Sequence, residues 1–137
     1  MNKAAFSLES YRFEKVSLDF TTTTTTESNE LTLDFDPSGN YTQSSGSFDL
    51  LLNFTAIDDT NHKVVEVNCV STFIFADKIP FEEIPEYFYA NSIAILFPYV
   101  RAFVSTVTLQ ANVSPIVLPT MNLTSLQSKL RDHTLSN

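Results

Sequence analysis

The sequence predicts an α+β domain: a four-stranded antiparallel sheet followed by two C-terminal helices packed on one of its faces. Three observations predict it. Between Tyr11 and Phe75, apolar residues alternate with polar ones in runs broken by turn residues, the period of a half-buried strand. Beyond Lys78 the period becomes helical, with Ile93, Phe97, Val100, Val104, Val107 and Ala111 spaced by three or four. Strands first and helices afterwards is the order of segregated α+β folds.

The first strand is read at residues 11–20, where Val16, Leu18 and Phe20 alternate with polar neighbours while Tyr11 and Phe13 fall on the other parity. A bulge near Glu14 and Lys15 would restore the register and put all five on one face. Thr21 to Thr26, β-branched throughout, suits the end of an edge strand, with a loop at Glu27 to Glu30. Leu31, Leu33 and Phe35 form a short second strand that stops at the turn signal Asp36-Pro37-Ser38-Gly39-Asn40. Phe48, Leu50, Leu52, Phe54 and Ala56 mark the third, and Val65, Val67, Cys69, Ser71, Phe73 and Phe75 the fourth. Asp58 to Lys63 joins these two as a long antiparallel hairpin.

The first helix contains Pro98, which leaves the carbonyl of Ala94 without its usual donor and calls for a first-turn position or a kink. Ser114 to Pro119 is an extended linker, because residues before proline are driven from helical geometry. Asn122 is the N-cap of a last helix carrying Leu123, Leu126 and Leu130, with Lys129 and Arg131 at its negative end.

At 137 residues, 43% hydrophobic and with twelve Phe and five Tyr, the chain is one domain spanning 1–137 with a full core. A formal charge of −8 repels nucleic-acid phosphates and anionic membrane surfaces, so neither is an expected partner. The single cysteine makes no intramolecular disulfide, and Glu9 comes before any apolar run long enough for a signal peptide. With no uninterrupted apolar run approaching a membrane span, the expectation is a cytoplasmic chain without membrane insertion. The Asn-x-Ser/Thr triplets at Asn40, Asn53, Asn112 and Asn122 are read as chance in a chain rich in Ser, Thr and Asn.

Catalysis finds little support. His62 and His133 are far apart and lack a nucleophile or metal-ligand spacing around them, Asp58-Asp59 reads as a turn, and Gly39 and Gly46 build no phosphate loop. The expected protein is not an enzyme and implies no cofactor or metal.

Two landmarks carry a family resemblance: Leu96-Phe97-Pro98-Tyr99-Val100-Arg101-Ala102, and Leu118-Pro119-Thr120-Met121-Asn122-Leu123. They resemble the Leu-Phe-Pro-Tyr-Ala-Arg-Glu and Leu-x-Pro-x-Asn-Phe landmarks of the SecB-type export chaperones. Val65-Glu66-Val67 is similar to a strand run of that family. This chain departs from it at Ala102, at Leu123, in the position of the second landmark's proline, and in lacking a Gly-Gly pair and an acidic tail.

The resemblance implies an ATP-independent holdase whose apolar groove captures unfolded or precursor polypeptides, with a translocase motor protein as a further partner. It also implies a homo-oligomer, dimer or tetramer. An adaptor dedicated to one partner, such as an antitoxin, and a structural domain with no open groove are the alternatives. Peptide contact falls to Leu31, Leu33, Phe35, to Tyr41 in the loop after Phe35, and to Leu126 and Leu130, with burial in the core as the competing reading. Subunit contact falls to Val65, Val67, Cys69, Tyr99 and Val100. Phe97, Pro98 and Tyr99 are expected in core or interface before direct client contact, and Arg101 in an ion pair or on an aromatic ring.

Overall fold

The computed structural model describes residues 5–21, 30–119 and 122–137. Its elements are β1 (Phe6–Leu18), β2 (Thr32–Thr42), β3 (Ser47–Ile57), β4 (Lys63–Phe75), a 3-10 turn at Phe81–Glu83, α1 (Glu86–Gln110), α2 (Leu123–Asp132) and β5 (Thr134–Ser136). The sheet has five strands in the order β1-β4-β3-β2-β5, one more than the sequence predicts. The expected strand end and loop over residues 22–29 lie outside the described residues.

The β3–β4 hairpin is the centre. Phe48, Leu50, Leu52, Phe54 and Ala56 pair with Phe73, Ser71, Cys69, Val67 and Val65, all turned to the helical side and buried. Its turn is fastened by Asp58, whose Oδ1 accepts from Thr60 Oγ1 (2.7 Å), Thr60 N–H (2.9 Å) and His62 N–H (3.0 Å), while Asn61 takes the left-handed φ of 65°. These donors hold the Asp58 carboxyl below its ordinary range, the Thr60 hydroxyl contributing most.

Strand β1 starts five residues before the predicted boundary, at Phe6, and carries two bulges. The register slips between Leu8 and Ser10 and between Phe13 and Lys15, so Tyr11, Phe13, Val16 and Leu18 do share the inner face, as the bulge expected near Glu14 and Lys15 requires. Without the bulge at Glu14, two of these four side chains would point to the opposite face.

Strand β2 corrects the sequence reading. Asp36 to Asn40 is no turn; the strand runs on to Thr42, pairs with β3 throughout, and turns only over residues 43–46. Gly39 N–H points away from β3, donating to His133 C=O at 3.1 Å, so odd-numbered β2 residues direct their backbone outward. Pro37 shares that parity, and its missing N–H costs no bond to β3. At Gly39 a Cβ would sit 2.5 Å from Phe48 Cζ and 2.8 Å from Thr134 Oγ1, so glycine is there for close approach.

Helix α1 begins at Glu86, a full three turns before Pro98, so the proline is interior and not in the first turn. Pro98 and Ala94 are both on the exposed face, where water can serve the carbonyl left without a donor. Buried Ile93, Leu96, Val100, Val104 and Thr108 face the sheet; Phe97 and Val107 are only half-buried and Ala111 is exposed as the C-cap. Asn112, at φ 65°, closes the helix, with Val113 N–H donating to Thr108 C=O (3.3 Å) and Asn112 N–H to Leu109 C=O (3.0 Å). By length and composition α1 could cross a membrane, although Asn91, Ser92, Arg101, Ser105, Thr106 and Thr108 interrupt its apolar sequence. Its inner face packs on the sheet.

The linker is part of the core. Ile116 and Leu118 are fully buried, and Ile116 is fastened to α1 by its N–H donating to Thr108 Oγ1 and its C=O accepting from Ser105 Oγ, both at 3.0 Å. Asn122 then caps α2, its Oδ1 accepting from Thr124 N–H at 3.1 Å.

Candidate polypeptide-binding site

An apolar groove of about 330 Å³ opens between the edge of β2 and the first turns of α2. Leu33 and Phe35 supply one wall because alternation turns them to the helical side, and Leu126, one turn into α2, supplies the other; Leu33 is half-buried, while Phe35 and Leu126 show only 3% and 7% of their surface. Asp34, Asn122, Ser125 and Lys129 make the polar rim.

Polar ties from two sides set how far α2 stands from the sheet. On the groove side, Lys129 Nζ lies 3.3 Å from Asp36 and 3.4 Å from the Phe35 carbonyl. On the far side, Glu86 accepts from Arg131 Nη1 at 2.9 Å and Gln127 Nε2 at 3.0 Å. Those two donors, Arg131 first, hold the Glu86 carboxyl below its ordinary range. Between the ties Leu130 is fully buried under α2.

Of the six residues expected at a client contact, Leu33, Phe35 and Leu126 come together on the groove. Leu31 is buried one strand step before it, and Leu130 is core. Tyr41 corrects the reading most clearly: it belongs to β2 and not to a loop, is 0% exposed, and donates through its hydroxyl to Ile79 C=O at 2.6 Å. Its ring packs with Phe75 and Phe81, at the opposite end of β2 from the groove, and burial pushes its phenol pKa up. Asn122, Ser125 and Lys129 were not foreseen at the site; the N-cap position of Asn122 and the three-residue step to Ser125 were the signals that could have found them.

The residues expected at a subunit contact divide in the same way. Val65, Val67, Cys69 and Val100 lie in this chain's own core, between sheet and α1, because their strand parity and helix face both point inward. Tyr99 is 42% exposed, its ring 4.4 Å from that of Tyr11, next to Phe13 stacked on Phe103 at 3.9 Å. Phe97 turns towards the groove wall, 5.7 Å from Phe35 between ring centroids. Arg101 is exposed and joins none of the ion pairs among the described residues, so the partner expected for it is not there.

A larger hollow of about 470 Å³ lies on the other face of the sheet, around Leu51, Asn53, Asn68 and Val70. Of its polar lining groups, Asn68 donates to Asn53, while Lys15, Glu14 and Asp36 pair with Glu66, Arg12 and Lys129 beyond it. Among the described residues no group of three or more His, Cys, Asp or Glu side chains converges to hold a metal ion.

A sheet that is antiparallel except for β5, roofed by two helices and with a groove left beside β2, defines an α+β protein of the SecB class. The chain matches the family model described as preprotein translocase subunit SecB over residues 5–133, and it belongs to the SecB family. Among solved structures it is similar to the Mycobacterium tuberculosis Rv1957 SecB-like chaperone, solved in complex with a ChAD peptide from the Rv1956 HigA1 antitoxin. The TM-score is 0.65 at 15% identity, covering 87% of this chain and 89% of the other. Among curated proteins it is 48% identical over 42 residues to an uncharacterized protein of Methanocaldococcus jannaschii, a match spanning 31% of this chain and 27% of that relative's length.

Proposed function

We propose that the chain is an ATP-independent holdase that captures unfolded polypeptide in the groove between β2 and α2. The observation that carries this is the groove itself: an apolar channel walled by Leu33, Phe35 and Leu126 in a member of the SecB family. An extended client offers apolar side chains and unpaired backbone, and such a channel accepts many sequences through area alone. The protein acts in the cytoplasm on unfolded or precursor polypeptides, and delivery to a translocase motor is the export form of that role.

The same reading includes a homo-oligomer, dimer or tetramer. Tyr87, Ile95, Tyr99 and Leu109 stand exposed along α1, next to exposed Tyr11 and Val16 of β1, an apolar ridge that suits a second copy. Val65, Val67, Cys69 and Val100 are the buried layer that supports this ridge from beneath.

The test is suppression of aggregation of several unrelated unfolded proteins by the wild-type chain and by Leu33→Asp, the half-buried residue of the three that wall the groove. Wild type is expected to protect all of them, and the variant to lose most protection while keeping its circular dichroism. Leu126, 7% exposed, and Leu130, fully buried, are unsuited to this test because their substitution would disturb folding. A second reading, an adaptor for one dedicated partner, is favoured by the antitoxin peptide in the related chaperone's structure. Protection of one client alone would support it over the holdase.

A further inference from the structure

Strand β5 is the one parallel strand of the sheet among the described residues. It is three residues long, and Leu135 at its centre is 71% exposed. Little apolar burial holds it, so backbone bonds do: Gly39 N–H donates to His133 C=O at 3.1 Å and Asn137 N–H to Tyr41 C=O at 2.8 Å. Thr134 Oγ1 donates to Leu130 C=O (2.6 Å) and Asn137 Nδ2 to Asn40 Oδ1 (2.8 Å). The period of a strand sets the N–H and C=O of Leu135 on the same side as these bonds, towards β2. The outer edge of β2 therefore accepts an extended segment, and residues 134–137 are what it holds.

That edge runs on into the groove. Below Gly39 the residues directing backbone outward are Pro37, Phe35 and Leu33, and the last two also wall the channel. The Phe35 carbonyl is met by the flexible Lys129 ammonium at 3.4 Å. Asp34 beside it joins no ion pair among the described residues, and Asp36 is shared with Lys129.

Resting on the groove reading above, we propose that β5 is an intrachain strap on the polypeptide site. An incoming extended segment pairs with the β2 edge from Leu33 upward and displaces β5 to continue that pairing over Gly39–Tyr41. The segment that fits alternates apolar with basic residues. Its apolar side chains enter between Leu33, Phe35 and Leu126, and its basic ones meet Asp34 and compete with Lys129 for Asp36. A strand this short opens without disturbing the sheet. While it is closed, the apparent affinity for client is reduced to the fraction of molecules with the strap open.

The test is fluorescence anisotropy of a labelled synthetic peptide alternating leucine with lysine, titrated with the full chain, Leu135→Pro and Leu135→Ala. Proline removes the backbone donor of residue 135, alanine keeps it, and neither touches the core. Leu135→Pro is expected to bind the peptide roughly tenfold more tightly, as for a strap closed in about nine molecules of ten, and Leu135→Ala to match wild type. In the wild-type complex the Asn137 amide should lose its protection from hydrogen exchange. Wild-type binding with no gain in Leu135→Pro, or an equal gain in Leu135→Ala, would overturn the strap and leave the groove reading standing. Failure of wild type and both variants to bind would overturn the groove reading itself.

Discussion

Phe88 joins more of the fold than any motif does. Its ring lies 4.7 Å from Phe6 of β1 and from Phe48 of β3, 4.8 Å from Phe75 and 5.9 Å from Phe73 of β4, so one side chain of α1 ties three strands together. Thr108 works by hydrogen bonding: its hydroxyl donates to Val104 C=O at 2.8 Å and accepts from Ile116 N–H, so a buried polar group is satisfied in both roles. Cys69 is the residue with the plainest chemical consequence. Burial pushes its thiol pKa up to about 11 from 9.0, which leaves about a hundredfold fewer thiolates at neutral pH, and the thiolate is the reactive form. Native Cys69 should therefore react with Ellman's reagent at least about a hundredfold more slowly than in urea. Rapid labelling of the folded chain would show instead that the layer between sheet and α1 opens readily.

Among elements, β1 depends most on a single inserted residue. With the Glu14 bulge, Tyr11 and Phe13 meet Tyr99 and Phe103; remove one residue there and everything N-terminal to it exchanges faces. Deleting Glu14 should thus lower the urea midpoint far more than Glu14→Ala, since the Glu14 side chain is exposed and pairs with Arg12 on the surface. Equal midpoints would mean that the bulge does not set the register. This bulge was legible because two parities of apolar residue had to be reconciled, and the β3–β4 hairpin was legible because alternation ran long on both sides of a turn. The rest of β2 was not, since Pro37 and Gly39 spell a turn unless it is known that one faces an outer edge and the other lies under the Phe48 ring. β5 left no pattern, being short, exposed and held by backbone. At the candidate site, alternation identified the inward face of Leu33 and Phe35 but not which inward positions the chain itself covers. Tyr41 and Leu130 were therefore read as groove when they are core.

On the scale of the whole molecule, the unbalanced surface is the outer side of α1. Over its twenty-five residues only Glu86 and Arg101 are charged, while Tyr87, Ile95, Tyr99 and Leu109 are exposed on a chain of net charge −8. A charged protein that keeps a long uncharged stripe in water either leaves apolar area unburied at about 25 cal/mol per Å² or covers it with a partner. A self-complementary contact across a two-fold axis is the simplest cover, and it needs roughly 1,200 Å² or more in total to be stable. Tyr99 sits past the middle of the stripe, so a carboxylate there would be buried against apolar surface in every copy and, near the axis, against its own image. Tyr99→Glu is accordingly expected to reduce the light-scattering mass from oligomer to monomer at micromolar concentration, while Tyr99→Phe keeps it. Both variants should retain near-native circular dichroism, because within one chain Tyr99 contributes chiefly its exposed ring pair with Tyr11, worth about 0.5–1.5 kcal/mol. If wild type itself scatters as a monomer, the stripe has some other cover, and the subunit contact proposed for Tyr99 is wrong.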